Sequence, residues 1–306
     1  MHLFLLLPSA WTATNFFPTK KRHWSGFCDR KLEIAGEKVP EYYCRMTVCN
    51  LLNSPIDLPL DAELVLTGEN EVAAAKRIVA RLCDNYPRFF DVVVVDALYM
   101  EGPFINFCVE KGKDCLVVLK NNYPSLLEDA KGLFAQMEPQ VWQVEEKTIQ
   151  IWDVDGFTAD TIDVPLRVLH AMETRIEKIE KDGQIVEYAV TKDWWWATTI
   201  PQNRLTAKHL WQLGHSRWQI ENNIFNTLGQ HWSLNHCYKH DPAAMVNFVL
   251  MLFIAFTLIQ CFYQRNLKAP VRKVINSLIA LANQLYAGFG IVVCKAAVRQ
   301  SGAGPP

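Results

Sequence analysis

Residues Phe90 to Tyr99 read FDVVVVDALY, and this stretch sets the fold class. Val92 to Val95 stand in a row with no polar residue among them. A strand with one wet face alternates apolar and polar side chains. A strand apolar throughout is covered on both faces, as in a parallel sheet flanked by helices. The run ends at Asp96, where the composition changes to that of a turn. Upstream, Tyr42 to Leu52 (YYCRMTVCNLL) is strand-like, and Asn53, Ser54 and Pro55 break it. Leu64 to Leu66 is a short apolar run closed by Thr67-Gly68, and Asn70 is placed to cap a helix over Glu71 to Leu82. Downstream, a helix is expected over Pro103 to Lys111 and a buried strand over Cys115 to Leu119. This alternation predicts an α/β layer.

Beyond Ser125 the rhythm changes. Ser125 to Met137 has a helical pattern, and Trp142 to Val154 and Leu166 to Thr199 read mainly as strands. Asp182-Gly183 sits between two alternating runs, a hairpin signal. After Pro201 the pattern is helical to about Ala287, and the end of the chain is small, polar and loose. The expected division is a first core part over 1–140, a β-rich insertion over 141–200, a helical part over 201–290 and a loose tail over 291–306.

A chain of 306 residues, half of them apolar, can bury a substantial core, and its net charge of −1 does not advertise a nucleic-acid partner. Local basic clusters do exist: Lys20, Lys21, Arg22 and His23, and later Arg265, Lys268, Arg272 and Lys273. The nine cysteines include no C-x-x-C pair, which favours reduced, buried thiols in a cytoplasmic protein over a zinc site or a disulfide framework. The N-terminal MHLFLLLPSAWTA lacks the positive region of a signal peptide and reads as a buried first strand, or as a start codon inside an older reading frame. Val246 to Tyr263 approaches the length of a membrane span but carries Asn247, Thr257 and Gln260, and is expected to be a buried core helix. A membrane anchor there is the rival reading; it would want basic flanks on both sides, and His240 and Asp241 occupy one of them.

The second decisive stretch, His215 to Leu228, reads HSRWQIENNIFNTL. Trp218, Ile220, Phe225 and Leu228 have roughly helical spacing, which puts Arg217 and Glu221 about one turn apart on one face. A carboxylate at a buried strand end, with a second on a later helix, is one way to build a divalent-metal site.

VVVDALY and RWQIENNIFNTL resemble segments of DDE transposases of the insertion-sequence-four family. GENEVAAAKRIVARL (Gly68 to Leu82), WDVDGF (Trp152 to Phe157), DWWWATTIP (Asp193 to Pro201) and YKHDP (Tyr238 to Pro242) look like further pieces of it. The resemblance implies a ribonuclease-H-like core interrupted by a β-rich insertion and completed by C-terminal helices. It implies metal-dependent cleavage and strand transfer at insertion-sequence ends, with Mg²⁺ or Mn²⁺ held by Asp96 and Glu221 as the second and third acids. Arg217 would organise the site or hold a DNA phosphate, and Trp195 would stack on an extruded base. Lys20, Lys21 and Arg22 would meet the DNA backbone. The partners implied are terminal-repeat DNA and a second copy in a synaptic homodimer, with no membrane.

Two departures stand out. Met1 to Trp24 contain no Asp or Glu, and Thr12 falls nearest to the place of the first acid. The helical signature has Gly214 where the family has Tyr and Leu228 where it has Lys. An impaired transposase is therefore the expected function; the alternative is a catalytically dead relic that binds DNA or a transposase partner.

Overall fold

The computed structural model describes residues 3–7, 15–22, 24–34, 36–181, 184–218 and 224–288. Eleven strands among these join one sheet. They are β1 (Leu3–Leu7), β2 (Asn15–Thr19), β3 (Cys28–Ile34), β4 (Glu37–Leu52), β5 (Leu58–Leu64), β6 (Val92–Val95), β7 (Asp114–Val118), β8 (Gln140–Val144), β9 (Lys147–Ala159), β10 (Ile162–Lys181) and β11 (Gln184–Thr198). The order along the sheet is β2-β4-β1-β6-β7-β11-β10-β9-β8, with β3 and β5 also paired to the long β4. β6 runs parallel to both β1 and β7, so the valine run lies at the centre, as its composition required.

The helices cover both faces. Alternation sends Val93 and Val95 into one hydrophobic cluster and Val92 and Val94 into another. The first of these holds α1 (Glu71–Asn85), α2 (Gly102–Glu110) and α3 (Pro124–Phe134), through Val72, Ile78, Phe104, Ile105, Leu126 and Phe134. The second holds α4 (Ala207–Ser216), α5 (Asn226–His231) and α6 (Pro242–Cys261), through Leu210, Leu213, Leu228, Val249 and Phe253. A short α7 (Ala269–Val274) and a helix over residues 278–288 follow. Asn70 does cap α1, its side chain accepting from the Ala73 amide at 3.1 Å. Asp182-Gly183 and the tail 291–306 lie outside the described residues, but the strands leading to the first form the antiparallel β10–β11 pair that the hairpin signal implied.

The β-rich region continues the central sheet. β11 pairs antiparallel with β7, Trp196 opposite Val118 and Thr198 opposite Leu116. Thr198 Oγ1 donates to the Cys115 carbonyl at 2.6 Å, and Arg204 bonds Asp114 at 2.6 Å just beyond the joint. Deeper in, Arg167 on β10 makes a two-pronged bond to Asp153 on β9, at 2.6 and 2.7 Å, with side chains only 1% and 5% exposed. Its remaining nitrogen donates to the Leu205 carbonyl at 2.7 Å, at the start of α4. One guanidinium thus fixes β9, β10 and the chain entering α4.

α6 differs from expectation. It buries the stripe Met245, Val249, Phe253, Phe256 and Gln260, while Met251, Ile254 and Leu258 on the opposite side are more than half exposed. A helix laid on one sheet face buries only the side it presents, and no described element covers its back. By length and composition alone it could cross a membrane. Gln260, one of its polar residues, is buried and grips the Asp57 backbone, donating to the carbonyl at 2.7 Å and accepting from the amide at 3.0 Å. Of the eight described cysteines, all free, Cys44, Cys49, Cys108 and Cys115 are buried and the other four half-buried, and burial pushes Cys44 up to about 12.

Replacing Asp153 by Asn or Arg167 by Met should each destabilise the fold by about 3–5 kcal/mol, because each strands a buried charge or its donors. The double replacement by two apolar residues should cost less than the sum, and urea unfolding midpoints check both.

Candidate active site and its aromatic flank

Asp96 stands where β6 ends. It is half-buried and caps a short 3₁₀ turn, Ala97–Tyr99, by accepting from the Ala97 amide at 2.7 Å. Asn122, beyond β7, donates its side-chain amide to the Ala97 carbonyl and pins the same turn. Register lines up the neighbours. Val95 is opposite Val117 and Trp196 opposite Val118, so Trp196 is level with Asp96 two strands away, roughly 10 Å at ordinary strand spacing. On the other side Leu5 pairs with Val94, and the register carried two residues on sets Leu7 level with Asp96. The end of the first core strand is therefore at Leu7, earlier than Thr12, which lies outside the described residues.

Glu221 also lies outside the described residues, as do 219, 220, 222 and 223. Its flanks are described. Arg217 follows α4, is 3% exposed, and places its guanidinium 4.2 Å from the centre of the Trp218 ring. Ile224 and Phe225 are buried in the cluster that contains Val94, Trp196 and Leu213, and Ala97 packs against that cluster. Leu228, in the place of the signature Lys, is fully buried in it. A Lys ammonium could not be left unpaired there.

Next to these residues Glu173 of β10 gathers a polar hub. His215 Nε2 lies 2.5 Å and Trp211 Nε1 2.9 Å from its Oε1, with Lys147 3.6 Å from Oε2. Burial alone would raise the Glu173 carboxyl, but the bonds from His215 and Trp211 and the Lys147 charge outweigh it and leave it below the usual range. Nothing local marks this hub, since Glu173 sits among other charges in ETRIEKIEK. Glu71, buried at the start of α1 beside Arg45, was equally unmarked as a site residue.

The three tryptophans divide by face as strand alternation requires. Trp194 and Trp196 lie on the α4 side, stacked with each other and edge-on to His215. Trp195 faces the other way. It stacks on His170 at 3.8 Å between ring centres, and His170 in turn stacks on Trp152. With Phe134 and Lys131 these rings line an open slot of about 210 Å³. Lys20, Lys21 and Arg22 follow β2 and are exposed, Arg22 bonding the Ser25 and Phe27 carbonyls. His23 lies outside the described residues. The elements thus set Asp96, the flanks of Glu221 and the Trp194–Trp196 run around one end of the sheet, with the basic turn farther along the same end of β4.

Residues 42–258, over two thirds of the chain, match the family described as the transposase DDE domain. The chain belongs to that family. No curated protein matches it. Within a DDE transposase domain the Gly214 departure now has a physical reason. A Cβ built on Gly214 would lie 2.4 Å from the Trp196 indole, so the ring of Trp196 fills the space a side chain would need. Trp196 is 2% exposed and cannot swing away.

Gly214→Ala should therefore destabilise the domain by about 1–3 kcal/mol through overpacking. The measurement is the shift in urea midpoint; an unchanged midpoint would show that α4 slides freely on β11. Glu173→Gln should abolish a stability component that, in the wild type, is present above the unfolded carboxylate range and fades as pH falls through the depressed Glu173 range. Melting temperatures across pH 3 to 7 check this: the wild-type curve should fall more steeply than the variant's toward the acid end.

Proposed function

We propose that this chain is a DNA transposase domain of the insertion-sequence-four type, built on a ribonuclease-H-like core, that engages insertion-sequence ends but cleaves them poorly. The observation that carries this is the shared cluster. Val94 and Ala97, on either side of Asp96, pack with Leu213, Ile224 and Phe225, on either side of Glu221. Residues so far apart in sequence are thereby drawn to one sheet face. The parallel β1–β6 pair at the sheet centre supports the core assignment, since it sets the end of the first strand beside the strand that ends in Asp96.

Asp96 and Glu221 would hold Mg²⁺ or Mn²⁺, hard ions that take carboxylate oxygens. Such ions supply activation of the attacking oxygen and neutralisation of the leaving one in an in-line displacement at phosphorus. The chain's own groups do the rest. The Ala97 amide and the Asn122–Ala97 bond hold the Asp96 carboxylate in place. Arg217, stacked on Trp218 and buried, would organise the approach to Glu221 four residues on. The slot at Trp195 would take an unstacked base, its rings giving the stack and Lys131 the phosphate contact. Lys20, Lys21 and Arg22 would lie along the DNA backbone, and a second copy would complete the synaptic complex.

Cleavage is weak in this reading because the end of β1 offers leucine where the family places its first acid. DNA binding survives, since phosphate contacts rest on other residues. The relic reading differs only in the catalytic step. The test is cleavage of DNA carrying the element's own ends, with Mg²⁺ or Mn²⁺, beside a binding titration at several salt concentrations. Binding that weakens with salt, and slow cleavage lost in Asp96→Ala and Glu221→Ala, is the expected result. Cleavage unaffected by either substitution, or no DNA binding at low salt, would remove the proposal; binding with no cleavage at all selects the relic.

A further inference from the structure

α6 gives one side to the sheet and leaves the other bare among the described residues. Asn247, Met251, Ile254, Leu258 and Phe262 are exposed, and they recur at intervals of four and three residues. That is the spacing of a seam along which two helices pack. Met251, Ile254 and Leu258 are 69%, 60% and 63% exposed, and Pro242–Cys261 holds no charged residue. The strip is continuous with a groove of about 570 Å³ between α6 and the edge formed by β5 and α1, which Leu60, Tyr86, Ile254 and Leu258 help to line. An apolar surface of this extent, with charges only at its ends, marks a contact with another molecule.

Lipid fits the strip badly. A spanning helix leaves the aqueous domain over its whole length, and α6 is tied into the domain by the Gln260 bonds to the Asp57 backbone. A helix lying flat on a membrane carries cations along its polar face, and α6 has none. The ends favour a second helix running the opposite way. Asp241 caps the N-terminal end, accepting from the Ala244 amide at 2.9 Å. Arg265, Lys268, Arg272 and Lys273 gather beyond the other end. A parallel pair would set these four cations against the same four of its mate, whereas an antiparallel pair brings them to Asp241. Lys239 offsets part of that attraction, so charge selects the direction and the apolar seam supplies the strength. The seam also reads alike in both directions. A two-fold axis crossing α6 between Ile254 and Ala255 sets Met251 level with Leu258 of the second copy, Asn247 with Phe262, and Asp241 near Lys268. One patch then complements itself, as a two-fold interface requires. Ala255, beside the axis, has only a methyl group and lets the two backbones approach.

We propose that the exposed face of α6 is a self-pairing surface, through which two copies of this chain join in the absence of DNA, their α6 helices antiparallel about an axis between Ile254 and Ala255. A helix pair with its adjoining groove lies at the small end of stable interfaces, so the dimer depends on concentration. This gives the second copy invoked above a place to bind, but it needs neither the metal site nor the transposase reading.

Sedimentation equilibrium of the full chain without DNA, from about 1 to 100 µM, should show monomer and dimer in exchange. Leu258→Glu, at an exposed position, should keep the far-ultraviolet circular dichroism of the wild type and raise the dissociation constant on the order of tenfold or more. Direction is read by cysteine pairing, against the wild type under the same mild oxidation because Cys261 is also on α6. Met251→Cys mixed with Leu258→Cys should give a disulfide-linked dimer. Met251→Cys alone should not, since its two copies lie roughly 10 Å apart along the helix axis. The reverse pattern means a parallel pair and overturns the proposal. So does a monomer at every concentration, a dimer untouched by Leu258→Glu, or pairing that appears only with DNA. A monomer that sediments with phosphatidylcholine–phosphatidylglycerol vesicles assigns the strip to lipid and overturns it too. A dimer that binds no DNA upholds this inference while the transposase reading falls.

Discussion

The Arg167–Asp153 pair is the constraint on which the arrangement of this molecule turns. Two charges with almost no contact with water are tolerable only with complete pairing and close geometry. Here the guanidinium satisfies both carboxylate oxygens and spends its remaining nitrogen on the Leu205 carbonyl. That third bond lies outside the sheet. It ties the point where the chain leaves the strands to the two strands it has just left. From Leu205 the chain enters α4 after one residue, and α4 leads directly to Arg217 and the Glu221 segment. An error in the register of β9 against β10 would therefore be carried into the position of α4 and of Arg217 beyond it.

The central sheet was legible because its signals are local. Four consecutive valines can only be a covered strand, and Asn70 ahead of an apolar-periodic run can only be a cap worth testing. β1 was harder, since LFLLL offers neither alternation nor β-branching, and its role comes from the neighbours it pairs with. The short β2 and β3 and the full length of β4 were missed. β4 takes several partners in turn along its sixteen residues, and no window of sequence shows that. The continuity of the β-rich region with the core was equally hidden. Its joint, Trp196 against Val118, depends on residues nearly eighty positions apart in the chain.

The site divides in the same way. Asp96 announces itself by ending the valine run. The face division of Trp194, Trp195 and Trp196 followed from strand period alone, and the packing agrees with it. Glu173 and Glu71 carry no such mark. Each is an acid among polar neighbours in sequence, and each becomes distinctive only when packing removes its water. Gly214 was readable as a departure but not as a consequence. Its cause, the indole of Trp196, lies eighteen residues earlier and one layer below.

The antiparallel joint between β7 and β11 makes the molecule stiff in one particular direction. A module attached by a linker could swing until its aromatic slot met whatever base the substrate presented. Here the slot at Trp195 and the end of β6 share consecutive hydrogen-bonded strands, so the span between them is fixed by strand spacing and not by a hinge. Were the proposed DNA substrate to reach both at once, any adjustment needed would have to come from the nucleic acid. Sequences at the bound end that kink or unstack easily would then be favoured without a single base being read. On the proposed reading the sheet would act as a gauge, and part of the choice of DNA would be made by how cheaply each duplex can be bent to its length.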